Sequence, residues 1–232
     1  MSARKKIDQK IIAQYHQSLL DWFYCNKRQF PWRETSDPFH IIIAEILLRM
    51  TGVSHTVPIY EYLISKYPTP KEMASASLTD LESIIQPLGL HNRAKILIKL
   101  SRVIQEEYGG VVPSNIQQLQ KLPGVGQYIA NAVICFCFGV DKPLVDGGIG
   151  RVIRRVFGLR GTKSAYLDRK LWAFAEKIIP LEKAGEYNLA LIDLDAFVCK
   201  PRNPICSSCP LANLCAFRFK EQKKRRSQNL DN

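Results

Sequence analysis

Four of the seven cysteines crowd into 17 residues near the end of the chain. They follow the pattern Cys199-x6-Cys206-x2-Cys209-x5-Cys215, within the segment CKPRNPICSSCPLANLC. Thiolates at this spacing can close one short loop around a single metal centre. The odd number of cysteines argues against a disulfide framework. The spacing itself fits either a zinc ion or an iron–sulfur cluster.

Glu45 is the one charged residue of the apolar run IIIAEILL (41–48). On a helix it shares a face with Ile41, Ile42 and Leu48, and the loss of solvation there predicts a raised pKa. A glutamic acid that keeps its proton near neutral pH can donate it to a leaving group. A glutamate at the edge of a buried face, paired with an arginine, fits the same pattern.

A second carboxylate, Asp146, lies in the segment PLVDGGIGRVIRR (143–155). It directly precedes a helical pattern, so it is a good candidate for the N-cap of that helix. Its carboxylate could also face a cleft in which positive charge develops during a reaction. There it would stabilise an oxocarbenium ion or orient a water molecule, and one residue could do both.

A glycine turn, PGVG (123–126), separates two apolar helical runs. Gly124 and Gly126 permit positive φ and a close approach of the backbone to a partner. The amides around Val125 and Gly126 open toward the N-terminus of the next helix, which favours a phosphate-sized anion. Such a turn is typical of a helix-hairpin-helix motif that binds a DNA backbone, although ordinary helical hairpins use it too. Tyr128 stands at the start of the second helix.

Helical periodicity predicts all the elements that must position these residues. The predicted helices cover residues 8–28, 38–51, 54–66, 69–76, 78–85, 91–107, 116–122, 128–139, 148–157, 166–179 and 187–199. The alternation typical of strands is missing, and the connections are short, so we predict an all-α fold.

The chain of 232 residues carries a net charge of +12, which points to a polyanionic partner, with nucleic acid before a membrane surface. The segment 220–228 supplies +4 of this charge, and the remaining +8 is spread along the chain. The N-terminus lacks the features of a secretory signal, and the apolar runs are too short to span a bilayer. We therefore expect a cytoplasmic, nucleoid-associated protein without a membrane partner.

In these combined features the chain resembles a DNA glycosylase of the helix-hairpin-helix (HhH-GPD) family, within the endonuclease III superfamily, that carries an iron–sulfur cluster. The resemblance covers roughly residues 8–217 and rests on FPWRETSDPF (30–39), AEILLRMT (44–51), GLHNRAKIL (89–97), LPGVGQYIANAV (122–133), LVD (144–146) and the four cysteines. It implies a [4Fe–4S] cluster on Cys199, Cys206, Cys209 and Cys215. It also implies two helical lobes with a DNA-binding cleft between them: a six-helix lobe over 38–143, a cluster lobe formed by 1–37 and 144–217, and a basic tail over 218–232.

The resemblance also bears on the chemistry. Relatives that cut the DNA backbone carry a Schiff-base lysine two residues after the last hairpin glycine, where this chain has Tyr128. A phenol cannot form an imine, so we expect a monofunctional enzyme that releases a base. Two subfamilies fit: thymine/uracil-DNA glycosylase acting on bases mispaired with guanine, and adenine-DNA glycosylase acting opposite oxidised guanine.

Three features favour the thymine/uracil type. The paired glutamines of the adenine enzymes are replaced by Arg49 and Met50, and their tyrosine wedge by Leu90. We also expect no second domain for reading oxidised guanine, since the sequence ends soon after Cys215. One departure concerns the family asparagine two residues after the aspartate, which is Gly148 here, so the helix cap or the orientation of the aspartate could differ.

The resemblance implies roles for individual residues in a monomer that binds double-stranded DNA with a mismatched or damaged base. Asp146 would stabilise the sugar cation, Glu45 would protonate the base or position water, and Tyr128 would line the base pocket. DNA contacts are expected from Arg49, Leu90, Gly124, Val125, Gly126, Lys200 and Arg202.

Overall fold

The computed structural model describes residues 8–89, 92–161 and 164–228, and every regular element in these ranges is helical. This confirms the predicted all-α fold. The helices are α1 (Gln9–Asn26), α2 (Pro38–Leu48), α3 (Val53–Lys66), α4 (Pro70–Ala74), α5 (Leu78–Ile85), α6 (Asn92–Tyr108), α7 (Ile116–Leu119), α8 (Gln127–Phe138), α9 (Gly147–Phe157), α10 (Arg169–Ile178), α11 (Ala184–Phe197) and α12 (Ala216–Gln228). Across the described residues, none of the helices is long and apolar enough to cross a membrane.

Contacts divide the chain into two compact units. One contains Met1–Arg28 and Asp141–Asn232, and the other contains Gln29–Val140. The lobe boundaries expected from the sequence, 38–143 against 1–37 with 144–217, stay a prediction.

The unit Gln29–Val140 is built around α2, which is almost wholly buried. This helix starts as its sequence predicts, because the Asp37 carboxylate accepts the amides of Phe39 and His40, and Pro38 occupies the first turn. The buried side chains of α2 pack with those of α6 and α8 into one apolar core. The core therefore anchors both the helix that carries Glu45 and the helix that carries Tyr128.

The other unit packs α11 against α1 and α9. Two fully buried tyrosines, Tyr15 of α1 and Tyr187 of α11, hydrogen-bond through their hydroxyls at 3.1 Å. At the end of α1, Arg28 pairs with the fully buried Asp193 of α11, with 2.6 Å between Nε and Oδ1. Since a buried carboxylate is costly without such a partner, this pair fixes the register of α1 on α11.

One helix was not predicted. The sequence around 218–232 indicates only a basic tail, yet α12 runs from Ala216 to Gln228. Residues such as Lys, Arg, Glu and Gln are good helix formers, and α12 packs on α9. The high charge of the segment hides this tendency from an interpretation based on composition.

Candidate functional site

Asp146 caps α9. Its Oδ1 accepts the amide of Ile149 at 2.7 Å, and its main-chain carbonyl accepts the amide of Gly150 at 3.0 Å. The residue itself is exposed. The capping interpretation is thus confirmed, and the same geometry leaves the carboxylate at the surface of its unit.

The missing side chain at Gly148 has a structural reason. A Cβ built at this position would lie 2.6 Å from Cγ of Asp195 and 3.1 Å from its Oδ1. The Asp195 carboxylate forms an ion pair with Arg151, whose Nε also donates to the Cys199 carbonyl at 3.0 Å. The space that a side chain at 148 would need is therefore filled by a carboxylate from α11.

Glu45 lies in α2 between buried neighbours. Ile41 and Ile42 are fully or almost fully buried, and Leu48 and Glu45 itself are half-buried. Glu45 is thus neither fully buried nor exposed, which is compatible with both interpretations of the sequence. Its role as a proton donor stays a prediction.

The turn after α2 is tightly held. Arg93 of α6 donates from Nη2 to the carbonyl of Arg49, whose side chain is exposed. Met50 follows with a φ of 54°, an uncommon value for a residue with a side chain, and is 95% exposed. Leu90, the other residue expected to enter DNA, lies outside the residues that the structure describes.

The glycine turn joins α7 to α8. Gly124 has a φ of 80°, as predicted, whereas Gly126 has a φ of −95° and precedes the first residue of α8. Val125 is buried and its amide donates to the Leu122 carbonyl at 3.0 Å, so that amide is engaged within the turn. Within the described part of the chain, no side chain caps the start of α8. The anion site expected here would therefore use the amides of Gly126 and the first turn of α8.

Tyr128 is the second residue of α8. It is half-buried and packs against the core of its unit. An aromatic side chain at this place stands within one turn of the hairpin backbone. The structure thereby brings Tyr128 and the glycine turn together, as the sequence predicts.

We expect Gly124→Ala to destabilise the unit more than a glycine-to-alanine change at a similar backbone angle elsewhere. A left-handed conformation costs about 1–2 kcal/mol for a residue with Cβ, and a Cβ at Gly124 would also lie 2.6 Å from Cγ2 of Ile96. Gly139 is a matched control, since its φ is 66° and a Cβ there meets no atom within 4 Å. Urea unfolding of both variants separates the two costs. Equal losses of unfolding free energy would contradict the crowding at Ile96.

The four cysteines of the spacing pattern line one cavity. Its walls are completed by apolar side chains of α9, α11 and the cysteine loop, among them Val152, Leu194, Val198 and Leu211. Burial, assisted by the three neighbouring thiols, raises the pKa of the Cys209 thiol to about 11. A metal cation stabilises the thiolate form of the cysteines that bind it, and four thiols that share one cavity can bind one centre together. The residues therefore suit a cationic metal centre.

The described side chains that line the cavity do not converge on one position where a single metal ion could bind. Within residues 8–89, 92–161 and 164–228, no three or more His, Cys, Asp or Glu side chains come close enough to hold one metal ion. All seven cysteines are free of disulfides.

Arg155 holds the cysteine loop, and the sequence did not indicate this. Its Nη1 donates to the Lys200 carbonyl at 2.8 Å and contacts Sγ of Cys199 at 3.4 Å, and its Nη2 donates to the Pro201 carbonyl at 3.0 Å. The guanidinium lies 4.6 Å from the centre of the Phe217 ring. The segment RVIRR (151–155) places Arg151 and Arg155 one turn apart on α9, a spacing that could have signalled a shared partner.

Lys200 and Arg202 are exposed on the same loop. The Arg155 bonds to the carbonyls of residues 200 and 201 fix the backbone beside them. The side chains of Lys200 and Arg202 therefore reach solvent from a backbone that is fixed by hydrogen bonds, which suits them to contact a phosphate.

More than half of the chain is similar to a known protein family. Residues 43–177 match the family model described as HhH-GPD superfamily base excision DNA repair protein. The chain belongs to this superfamily. Residues 199–215 of this HhH-GPD protein match a second family model, the iron–sulfur binding domain of endonuclease III.

The HhH-GPD chain is similar to a thymine/uracil-DNA glycosylase of Pyrobaculum aerophilum, with 38% identity over 91% of this chain and 94% of that protein. It is 32% identical to the adenine DNA glycosylase of Homo sapiens, over 92% of this chain but 41% of the human protein. A solved structure of a thermostable thymine-DNA glycosylase superposes with a TM-score of 0.87 and 37% identity, covering 91% of this chain and 98% of the other.

Proposed function

We propose that this HhH-GPD protein is a monofunctional DNA glycosylase that removes thymine or uracil mispaired with guanine. The observation that carries this proposal is Tyr128, half-buried at the start of α8 where lyase relatives have lysine. The similarity to thymine and thymine/uracil-DNA glycosylases over more than nine-tenths of both chains supports the choice of base. We further propose that it acts as a monomer in the cytoplasm, on the nucleoid.

The grip on DNA is assigned to the hairpin and the cysteine loop. A backbone phosphate would bind the amides of Gly126 and the first turn of α8, where the helix dipole favours negative charge. Gly124 and Val125 support that turn by their backbone conformation and internal hydrogen bond. Exposed Lys200 and Arg202 would add two phosphate contacts, and Arg49 with Leu90 would fill the gap left by the flipped nucleotide.

The chemistry is hydrolysis of the bond between C1′ and the base nitrogen. As that bond breaks, its electron pair leaves with the base, and Glu45 donates a proton to the base or orients the attacking water. The Asp146 carboxylate stabilises the oxocarbenium-like sugar until water bonds to C1′ and releases a proton. Tyr128 lines the base pocket, and the product is an abasic site.

We infer that the metal centre is a [4Fe–4S] cluster held by Cys199, Cys206, Cys209 and Cys215. The match of residues 199–215 to the iron–sulfur binding domain of endonuclease III supports a cluster, and the four thiols border one cavity. A single zinc ion with Zn–S bonds near 2.3 Å would instead draw the sulfurs to about 3.8 Å from each other, and among the described residues no three such side chains stand close enough to hold one ion. Such a cluster supplies a rigid, covalently linked frame. The chain's own residues, above all Arg155, then hold the loop that displays Lys200 and Arg202.

The experiment that tests this function uses a panel of duplexes with T·G, U·G, A·G, adenine opposite oxidised guanine, and oxidised pyrimidines. Each product is analysed with and without alkali. We expect strand cleavage of the T·G and U·G duplexes, and only after alkali. Excision of adenine would favour the alternative, an adenine-DNA glycosylase, to which the 32% identity with the human enzyme lends some support.

We expect Tyr128→Lys to gain covalent chemistry. A lysine amine can attack C1′ and form an imine that borohydride reduces to a stable protein–DNA adduct. With borohydride present, the wild-type protein should form no covalent adduct with DNA, although its abasic product is cleaved by alkali. The variant should form a detectable protein–DNA adduct. Tyr128→Phe is the control, because it keeps the ring without an amine. An adduct formed by the wild-type protein would show that another amine acts as a lyase and would overturn the monofunctional assignment.

A further inference from the structure

The start of α9 is intrinsically loose. After the cap residue Asp146 the helix begins with Gly147 and Gly148, the residue type with the lowest helix propensity apart from proline. Gly147 has no atom within 4 Å of the place where its Cβ would be. Asp146, the carboxylate proposed to face the reacting sugar, thus precedes a first helical turn that starts with two glycines and is weakly restrained by its own sequence.

Asp195 of α11 restrains that turn. Its carboxylate lies where a side chain of Gly148 would start, so it packs directly on the glycine backbone. The carboxylate cannot easily swing away, because Arg151 pairs with it and Arg151 is itself bonded to the Cys199 carbonyl. Both partners of the ion pair are about three-quarters buried, with side-chain exposures of 23% for Arg151 and 24% for Asp195.

We propose that Asp195 is a positioning residue for Asp146, and that it replaces the side chain that Gly148 lacks. The inference rests on the proposed glycosylase function. Asp195 touches neither substrate nor water in this scheme. It fills the space beside Gly148, limits the conformations of the first turn of α9, and so keeps the Asp146 carboxylate in one orientation.

The charges around Asp195 agree with a positioning role. Burial raises the pKa of Asp195, and the nearby negative charge of Asp146 acts in the same direction, while Arg151 and Arg155 lower it. The two carboxylates are therefore within electrostatic reach of each other. Because Arg151 balances the charge of Asp195, the net negative charge offered to a sugar cation stays with Asp146.

The test is a cycle of Asp195→Ala, Gly148→Asn and the double variant, assayed for excision from a U·G duplex in single turnover with saturating protein. We expect each single variant to lower the excision rate constant about 10- to 100-fold, because misplacement of a catalytic group by 1 Å can cost that much. Duplex affinity should change less than about twofold. In the double variant the asparagine enters the vacated space, so the rate should return to within about threefold of wild type.

Three further variants separate positioning from stability. Asp168→Asn removes the Arg154 ion pair (2.7 Å) from the same helix and should lower Tm without changing excision. Asp195→Asn keeps the shape of the side chain and an oxygen that can accept the Arg151 hydrogen bond, so it should retain most of the excision rate. Gly148→Ala adds only the crowding Cβ to an otherwise native chain and should reduce excision.

Two kinds of failure can be told apart. If the wild-type protein releases neither thymine nor uracil opposite guanine, the proposed function is wrong. If the wild-type protein is active but Gly148→Ala and Asp195→Ala match its rate, or the double variant is no faster than the singles, the role of Asp195 is wrong. Should Asp195→Ala fail to fold, Gly148→Ala still decides the matter.

Discussion

Asp146→Asn is expected to lower the rate of base excision about 100- to 1000-fold while leaving the protein folded and bound to DNA. Asparagine caps a helix as well as aspartate does, so the hydrogen bond to Ile149 can persist and the stability of α9 should change little. Only the negative charge is lost. If that charge stabilises an oxocarbenium-like sugar, its removal costs the reaction an electrostatic contribution of about 3–4 kcal/mol. Single-turnover excision, duplex affinity and thermal unfolding measure the three quantities.

Asp8→Asn provides the matched control. Asp8 is an exposed aspartate that caps α1 by accepting the amide of Lys10 at 2.9 Å, and no chemistry is assigned to it. The same substitution there should leave excision unchanged. Full activity of Asp146→Asn, or an equal loss in both variants, would remove Asp146 from the mechanism.

The second large effect is expected from Cys209→Ala. This thiol shares its cavity with the other three cysteines, and the substitution takes away one of four ligands. We expect the purified variant to lose bound iron and sulfide. Without the metal the loop keeps only the Arg155 hydrogen bonds, which we expect to be too few to hold Lys200 and Arg202 in place against DNA. Two lost phosphate contacts should reduce the slope of log K against log salt by about 2.

Cys25→Ala controls for the loss of a thiol as such, because Cys25 is exposed on α1 and lies outside the cavity. Its iron content and salt dependence should equal those of the wild-type protein. A Cys209→Ala protein that keeps its full iron content would contradict the assigned ligand set. If the variant loses its iron but the slope of log K against log salt is unchanged, the loop is excluded from the DNA interface.

Local sequence signals account for much of what the structure shows. Asp37 before Pro38, Thr69 before Pro70 and Asp146 before Gly147 each mark a helix start, and in each the side chain accepts a backbone amide of the first turn. Such caps depend on residues two or three positions apart, so the sequence displays them directly. The cysteine spacing and the glycine turn are local in the same sense.

The contacts that hold these parts together are not local. Arg155 bonds to carbonyls 45 and 46 positions away, and Asp195 packs on a glycine 47 positions before it. The engaged amide of Val125 depends on the detailed path of the turn, which a glycine pattern leaves open. Such contacts between distant residues depend on how the helices pack against each other. A single sequence does not reveal which residues of two helices will lie side by side.

The contact between Gly148 and Asp195 also constrains how the sequence can change over time. A side chain acquired at position 148 meets a carboxylate that is already in place, whereas the loss of that carboxylate leaves Arg151 without its partner. Each step alone carries a penalty that the other relieves, which is the physical basis of epistasis. Lineages that exchange these two residues must therefore cross a less fit intermediate or change both at nearly the same time. Which side chains are tolerated at position 148 therefore depends on whether the protein has a carboxylate at position 195.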